Sequence, residues 1–457
     1  MKPRRTQSAQ RKRIDPLPGK PQPAPAQLVR IEKPIYGGAF LARVEGKAIF
    51  VPLTLPGEEV RVHITEDKRG YATAEADEIL AAAPERIAPA CRYFGACGGC
   101  HYQHANYEAQ QAFKQAILRE TLERGGVRAP DEIALLAAAN ESESWAYRNR
   151  VRVAFDAAGH PGYRGRRSHA VIPIGECPIA APLLVKAALI IAEIARQFSP
   201  SLRPTEVSLF CDANETSLLA GVLTASAEKR NFKEFASALA EQIPATRGVE
   251  LVVDGRNGER NPTQLPHTVA QWGEPSIAYR AAGFNYRVDH GAFFQVNRWL
   301  VDALVDRVTS GQKGALAWDL FAGVGLFARK LTENFSRVVA VESAPSATAA
   351  LKENLRGTTG SAVRASTLDF LSRSKGTERP GMIVVDPPRT GLGAEITALL
   401  AEIGAPALIY VSCDPATLAR DLRALVDSGY AIHTITLADL FPQTFHLETV
   451  VHLRRSC

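Results

Sequence analysis

Ala315-Leu-Ala-Trp-Asp319-Leu-Phe-Ala-Gly323-Val-Gly325-Leu-Phe-Ala328 decides the fold. A short apolar run meets an acid, passes through two glycines one residue apart, and resumes with apolar residues at helical spacing. The stretch therefore reads as strand, tight turn and helix start, matching the pattern G-x-G-x-x-[GA]. Such a turn lets a ligand approach the backbone at the carboxyl edge of a parallel sheet. Working outward, Val338-Val-Ala-Val-Glu342 reads as a second buried strand that ends in an acid, seventeen residues beyond Gly325. An acid there can accept both hydroxyls of a ribose. The pair fits either a nicotinamide cofactor or S-adenosylmethionine. Asp319 favours the second, whose sulfonium and ammonium are positive where a dinucleotide carries a pyrophosphate.

Two further strand ends follow. Gly381-Met-Ile-Val-Val-Asp386-Pro-Pro-Arg389 closes on an acid and two prolines that offer no N–H, so the rim is rigid and rich in carbonyls rather than a phosphate cradle. Ala407-Leu-Ile-Tyr-Val-Ser-Cys413-Asp-Pro-Ala-Thr417 stops a buried strand at a cysteine. Asp414 suits an N-cap and Pro415 a first helical position, with helical spacing from Thr417 to Leu425. Cys413 is thus expected beside a helix N-terminus, where a thiolate is favoured. Taken alone it fits a buried structural cysteine better than a nucleophile. The chain closes on Phe445-His-Leu-Glu448-Thr-Val-Val-His-Leu453, a strand with one acid in an apolar run. Such an acid is usually exposed at a sheet edge, but among apolar neighbours it would have a raised pKa, which suits proton abstraction.

Upstream, residues 28–85 hold short alternating runs punctuated by Gly37-Gly38, Gly46, Pro56-Gly57 and Gly70, the spacing of a small β-barrel. This segment resembles a TRAM domain, an OB-like RNA-binding barrel. Cys91-Arg-Tyr-Phe-Gly-Ala-Cys97-Gly-Gly-Cys100 crowds three thiols into ten residues, and two glycines let backbone pass close to a metal or cluster. Cys177, followed by Pro178, is the candidate fourth ligand. Spacing alone leaves zinc and iron–sulfur open. Ala105 to Arg124 reads as a helix stopped by Gly125-Gly126. Arg148, Arg150 and Arg152 share one strand face, and Arg164, Arg166 and Arg167 flank Tyr163 in a glycine-broken loop; basic groups beside an aromatic suit phosphate contact and base stacking. Residues 180–270 alternate helices and strands without evident chemistry, and Cys211 is expected in the core.

The 457 residues suffice for two or three domains, and 46% hydrophobic with 22% charged residues describes an ordinary globular protein. No apolar run is long enough for a membrane span, and no apolar stretch follows the basic N-terminus as in a secretory signal. A cytoplasmic location is expected. Seven cysteines, an odd number, argue against a disulfide framework. The net charge of +6 is compatible with a polyanionic partner. Residues 1–27, basic and rich in Pro and Gln, read as a disordered tail able to touch nucleic-acid phosphates.

Together these motifs closely resemble the S-adenosylmethionine-dependent RNA uracil-C5 methyltransferases, which make 5-methyluridine in 23S rRNA and in tRNA. The resemblance runs from about residue 28 to the end. It rests on the four cysteines, Phe293-Phe-Gln295-Val-Asn297, the glycine turn, Asp386-Pro-Pro-Arg389, Ser412-Cys413-Asp-Pro and His446-Leu-Glu448-Thr-Val. It implies an α/β chain in four parts: the tail (1–27), the barrel (28–85), a central α+β iron–sulfur domain with RNA-contacting strands (86–290), and a Rossmann-like class I methyltransferase domain (291–457). It further implies that Cys91, Cys97, Cys100 and Cys177 hold a [4Fe–4S] cluster. Gln295, Phe321, Glu342 and Asp386 match the positions that contact the methyl donor, Cys413 the nucleophile and Glu448 the proton acceptor. One departure is Leu326, where the family often has Asn, so a side-chain bond to the donor is absent or replaced by backbone. The cluster cysteines favour 23S rRNA over the tRNA T-loop as substrate, because the bacterial tRNA enzymes lack them. A monomer without protein partners is expected. A non-catalytic RNA-binding assembly factor on the same scaffold is the alternative from another class, and retention of Cys413, Glu448 and the acids together argues against it.

Overall fold

A computed structural model describes residues 26–198, 200–225, 228–253 and 266–455. The basic tail expected over 1–27 falls almost entirely outside them, as does Cys457. Strands β1 (Gln27–Pro34), β2 (Ala39–Val44), β3 (Lys47–Pro52), β4 (Glu59–Asp67) and β5 (Tyr71–Ala81) close into a barrel in the order β1-β2-β3-β5-β4. Alternate residues such as Phe40, Val51, Val60 and Val62 turn inward to fill it.

Helix α1 (Tyr107–Arg124) follows the cysteine-bearing loop, capped by the Asn106 side chain on the Ala109 N–H. It leads to a three-residue strand, β6 (Ala134–Leu136). Its apolar residues Ile117, Leu118 and Leu122 enter the core beneath the C-terminal sheet, but its buried face also carries Gln110 and Lys114. A second sheet contains β7 (Arg150–Phe155), β8 (Pro161–Arg164), β9 (Val171–Pro173), β10 (Pro204–Cys211), β11 (Leu218–Thr224), β12 (Thr246–Val253) and β13 (His267–Gly273), in the order β13-β12-β11-β10-β7-β8-β9. Helices α2 (Pro182–Ala195) and α3 (Phe232–Gln242) pack on one side of it, where Cys211 is fully buried. The hairpin β14 (Ser276–Ala281) and β15 (Phe284–Asp289) packs instead with α4 (Val301–Thr309) into the core of the C-terminal sheet.

That C-terminal sheet is doubly wound. Its elements are β16 (Gly314–Leu320), α5 (Leu326–Leu331), β17 (Phe335–Glu342), α6 (Pro345–Asn354), β18 (Gly360–Arg364), α7 (Thr367–Ser374), β19 (Met382–Val385), α8 (Gly393–Ile403), β20 (Ala407–Ser412), α9 (Pro415–Asp427), β21 (Tyr430–Ala438) and β22 (Glu448–Arg455). The order is β18-β17-β16-β19-β20-β22-β21-β6. The first five strands run parallel, β22 inserts antiparallel between β20 and β21, and β6 closes the edge parallel to β21. Every residue of β19 and β20 is buried, as parallel strands covered on both faces require. On α9, Leu418, Leu422 and Leu425 are solvent-free, each contributing roughly 1.5–3 kcal/mol of burial. Among the described residues no helix is long and apolar enough to cross a membrane.

Candidate active site

The strand order reverses between β16 and β19, and the carboxyl edge at that point collects the residues singled out from sequence. Phe321 leaves β16, Glu342 ends β17, Asp386 follows β19 and Cys413 follows β20. Because β22 runs antiparallel, its first residue lies at the same edge: Ser412 pairs with Thr449, which sets Cys413 and Glu448 one step beyond paired residues of adjacent strands. Gln295 lies outside the sheet, on the segment before α4. Its carbonyl accepts the Asn149 Nδ2 at 2.9 Å, and Asn149 is fully buried between the second sheet and this one.

The glycine turn carries its strain where a ligand would approach. Phe321 adopts a left-handed backbone (φ 65°), uncommon for an aromatic residue, and Gly323 is left-handed with open space where a Cβ would stand. Gly325 is needed for packing too: a Cβ there would meet Leu351 Cδ1 at 2.5 Å. Glu342 is oriented by backbone, accepting the Gly323 N–H at 2.9 Å and the Ala344 N–H at 2.7 Å. Leu326 turns its side chain into the core, and its carbonyl accepts the Tyr286 hydroxyl at 3.1 Å.

Acids concentrate at this edge. Asp319 is solvent-free; one carboxyl oxygen accepts the Ala328 N–H at 2.8 Å and the other has no partner among the described residues. Burial, reinforced by Asp386 and Glu342, pushes its pKa up to about 8, and burial alone raises Asp386 to about 7. Glu448 is 5% exposed, not an exposed edge acid as a lone acid in a strand usually is, because β22 lies inside the sheet. Burial and the neighbouring Asp386 raise its pKa, while Arg389 opposes them.

Cys413 departs from expectation in its acidity. The Asp414 carboxylate caps α9, accepting Ala416 N at 3.1 Å and Thr417 N at 2.9 Å, as its position in sequence predicts. Yet the thiol is not lowered: burial first, then Glu448 and Asp386, push it from 9.0 up to about 11, and Arg389 only partly compensates. The helix start is outweighed by burial, with two acids brought in from β19 and β22 acting in the same direction.

Two residues that the sequence reading left without a role stand at this edge. Arg389 approaches His446 (3.4 Å between Nη2 and Nδ1). Tyr36, from the barrel turn after β1, reaches its hydroxyl to Asp414 Oδ2 at 3.4 Å and sets its ring edge-on to Phe445 with centroids 5.5 Å apart. Arg389 was legible as part of a motif; Tyr36 had no local signal.

The four cysteines line one pocket of about 360 Å³, together with Arg148, Arg150 and Tyr163. The Gly99 N–H points at Cys97 Sγ (3.4 Å), and the Tyr163 hydroxyl and the N–H groups of Ile179 and Ala180 serve Cys177. Burial and the other thiols raise the pKa of Cys97 and Cys177. Among the described residues no three His, Cys, Asp or Glu side chains converge as on a single metal ion. The thiols line the hollow, and the Gly99 N–H is aimed at one of them.

Of the expected basic face, only Arg152 is exposed, paired with Glu206 at 3.2 Å. Arg150 lies over the Phe210 ring at 4.4 Å, and Arg148 lies beside Tyr147 and Phe441. A second cleft runs between the barrel turn Gly37–Gly38 and the loop Arg164–Arg167, floored by Gly98 and Gly99. Arg164 and Arg167 are exposed there, while Arg166 ties the loop to Gly95 and to Glu75 of the barrel.

Residues 377–456 match the tRNA (uracil-5-)-methyltransferase family, and residues 26–76 match the TRAM domain. The chain is 32% identical over 439 residues to a 23S rRNA (uracil(1939)-C(5))-methyltransferase of Halomonas elongata, covering 92% of this chain and 87% of that one. It is also 32% identical to an RNA methyltransferase of Streptomyces avermitilis, covering 93% and 97%. In fold it is similar to the Pyrococcus abyssi tRNA (uracil-54, C5)-methyltransferase solved with S-adenosyl-L-homocysteine, with a TM-score of 0.71 at 22% identity, over 94% of this chain and all of that one.

Proposed function

The chain belongs to the RNA uracil-5-methyltransferases with a TRAM domain, enzymes that use S-adenosylmethionine, and we propose that it methylates C5 of a uridine in 23S rRNA through a covalent bond between Cys413 and C6 of the base. The observation that carries this reading is the shared edge of β20 and β22, where a nucleophile and a buried acid stand side by side beyond the glycine turn.

Carbon 5 of uracil is a weak nucleophile. Addition of the Cys413 thiolate to C6 moves the C5=C6 pair onto the ring as an enolate, which makes C5 nucleophilic. The donor, when bound, supplies a methyl group activated as a sulfonium, and its departing sulfur keeps the electron pair of the broken bond. Glu448 then accepts the C5 proton; that C–H pair restores C5=C6 and expels the thiolate. A raised Glu448 pKa suits this step, because a base poised nearer neutrality takes and later releases a proton readily. Gln295, Phe321, Glu342 and Asp386 frame the donor site: Glu342 keeps lone pairs for ribose hydroxyls, the open face of Gly323 admits the ligand, and the buried acids favour its positive charge. Cys413 must lose a proton before it attacks. A cation at Asp386 and the nearby Arg389 both act in that direction.

Cys91, Cys97, Cys100 and Cys177 would hold a [4Fe–4S] cluster, which there supplies a structural cross-link and no redox step of methyl transfer. The exposed Arg164 and Arg167 beside the barrel supply phosphate contacts for an RNA strand, offsetting the few kcal/mol of flipping the target base.

Purified rRNA and tRNA from cells lacking the protein, incubated with it and labelled S-adenosylmethionine, separate the substrates. Label in 23S rRNA supports the reading, and label confined to tRNA replaces it with T-loop methylation. RNA containing 5-fluorouridine tests the chemistry: no denaturation-resistant adduct at Cys413, despite binding, would leave an RNA-binding factor instead. Iron and sulfide analysis of anaerobically purified protein, beside a Cys97→Ser variant, tests the cluster; a clusterless, soluble variant of full activity overturns its structural role.

A further inference from the structure

Between Ala438, which ends β21, and Glu448, which opens β22, runs a connection buried along its first half. Five consecutive residues of it are each held by groups outside the hairpin. Asp439 donates its N–H to Leu136 O (2.7 Å) and accepts Lys114 Nζ (2.5 Å). The carbonyls of Leu440, Phe441 and Pro442 accept Asn297 Nδ2 (3.1 Å), Lys114 Nζ (2.8 Å) and the Tyr147 hydroxyl (3.0 Å). The carbonyl of Gln443 accepts two N–H groups of the cysteine loop, from His101 (2.9 Å) and Tyr102 (3.1 Å). Gln443 and Gln110 also form a reciprocal pair: Gln110 Nε2 donates to Gln443 Oε1, and the Gln443 N–H donates to Gln110 Oε1, both at 2.9 Å. Past the pair, Phe445 rests its ring on His101 at 4.6 Å, next to Cys100 in sequence.

We propose that Asp439–Gln443 is a strap through which α1 and the cysteine loop set the position of Glu448, with Gln110 and Gln443 as its positioning residues. A connection between two antiparallel strands ordinarily runs over the surface, where water serves its polar groups. Here buried side chains replace that water one residue at a time. Gln443 is also held in a left-handed backbone (φ 67°), a conformation that persists only when its surroundings impose it. The strap ends five residues before the base, so its placement is inherited by the first residue of β22. It also gives the cysteine pocket a part in the reaction that needs no electron transfer.

The proposal rests on the roles of Cys413 and Glu448 given above, and the test keeps the two apart. In full-length protein, Gln110→Leu removes three hydrogen bonds, including one to Ala105 O. A base displaced by a fraction of an ångström should lower kcat on the order of 10- to 100-fold. KM for RNA should stay within about twofold. Methyl transfer onto C5 should then outrun proton removal, so a labelled, denaturation-resistant enzyme–RNA adduct accumulates. Gln443→Gly, which relieves the left-handed backbone while deleting half the pair, should show the same adduct to a smaller degree and covers the case in which Gln110→Leu fails to fold. An unchanged kcat, or a lower kcat without adduct, overturns the strap. If wild-type protein itself forms no adduct with 5-fluorouridine RNA, the Cys413 reading fails instead.

Discussion

Glu448→Gln should make Cys413 more reactive toward alkylating agents while abolishing turnover. The thiol is held at about 11 against an ordinary 9.0, with burial the first cause and Glu448 the second. At pH 8 a thiol of that pKa is ionised in about one molecule per thousand, against about one in ten at 9.0. Burial survives the substitution, so removing the carboxylate should undo only part of the rise. Iodoacetamide consumes thiolate, so modification of the Cys413 peptide at pH 8 should quicken about 3- to 10-fold, read by mass spectrometry of the digest. Arg389→Gln carries the opposite sign, since Arg389 is the cation that lowers the thiol, and should slow the same reaction. A wild-type profile with its midpoint near 9 or below, or a Glu448→Gln protein no faster than wild type, would refute the electrostatic account.

Asp319→Asn should stabilise the donor-free protein at alkaline pH. A carboxyl raised from 3.8 to about 8 contributes most below pH 4 and loses that contribution as pH rises toward 8, so the variant should gain a few kcal/mol at pH 9 and almost nothing near pH 4 in urea melts. Its affinity for S-adenosylmethionine should fall by calorimetry, because the missing charge faces a cation. Lys114→Met should cost about 3–5 kcal/mol by leaving Asp439 buried and unpaired, and adding Asp439→Leu should recover most of it in the same melts. Arg164→Ala with Arg167→Ala should weaken RNA binding evenly across sequences and reduce the salt slope by about 0.7 for each phosphate no longer neutralised.

What could be read in advance was local. The glycine turn, the acid after β17, Asp-Pro-Pro and the Asp414 cap each depend on neighbours a few residues away, and strand ends at one edge follow from parallel winding. Tyr36 reaches Asp414 across 378 positions and Lys114 meets Asp439 across 325, which no pattern of periodicity announces. Lys114 and Gln110 would read as solvated positions on α1, because helical spacing marks apolar residues and is blind to a polar group whose partner arrives from another domain. The sign of the Cys413 shift failed for a similar reason. The favourable helix start is written beside the cysteine, whereas the burial that outweighs it and the Glu448 carboxylate that adds to it are not. For Glu448 the sequence left an exposed edge acid and a base among apolar neighbours both open: a strand's place within a sheet is set by topology, and nothing within Phe445–Leu453 shows that β22 inserts between β20 and β21.

The three residues of β6 complete the edge of a sheet whose neighbouring strand is made much later. Ala134–Leu136 emerge roughly 290 residues ahead of β21, their pairing partner. At a synthesis rate of about 5–20 residues per second, they wait on the order of 15–60 s on the ribosome. During that time α1 holds out the apolar face of Ile117, Leu118 and Leu122 with nothing beneath it. The barrel and the second sheet can form meanwhile, but the edge that joins Cys413 to Glu448 cannot exist before β22 is released. A nascent chain should therefore stay sensitive to protease between the barrel and β7 until β21 and β22 have left the ribosome, and become resistant in one late step.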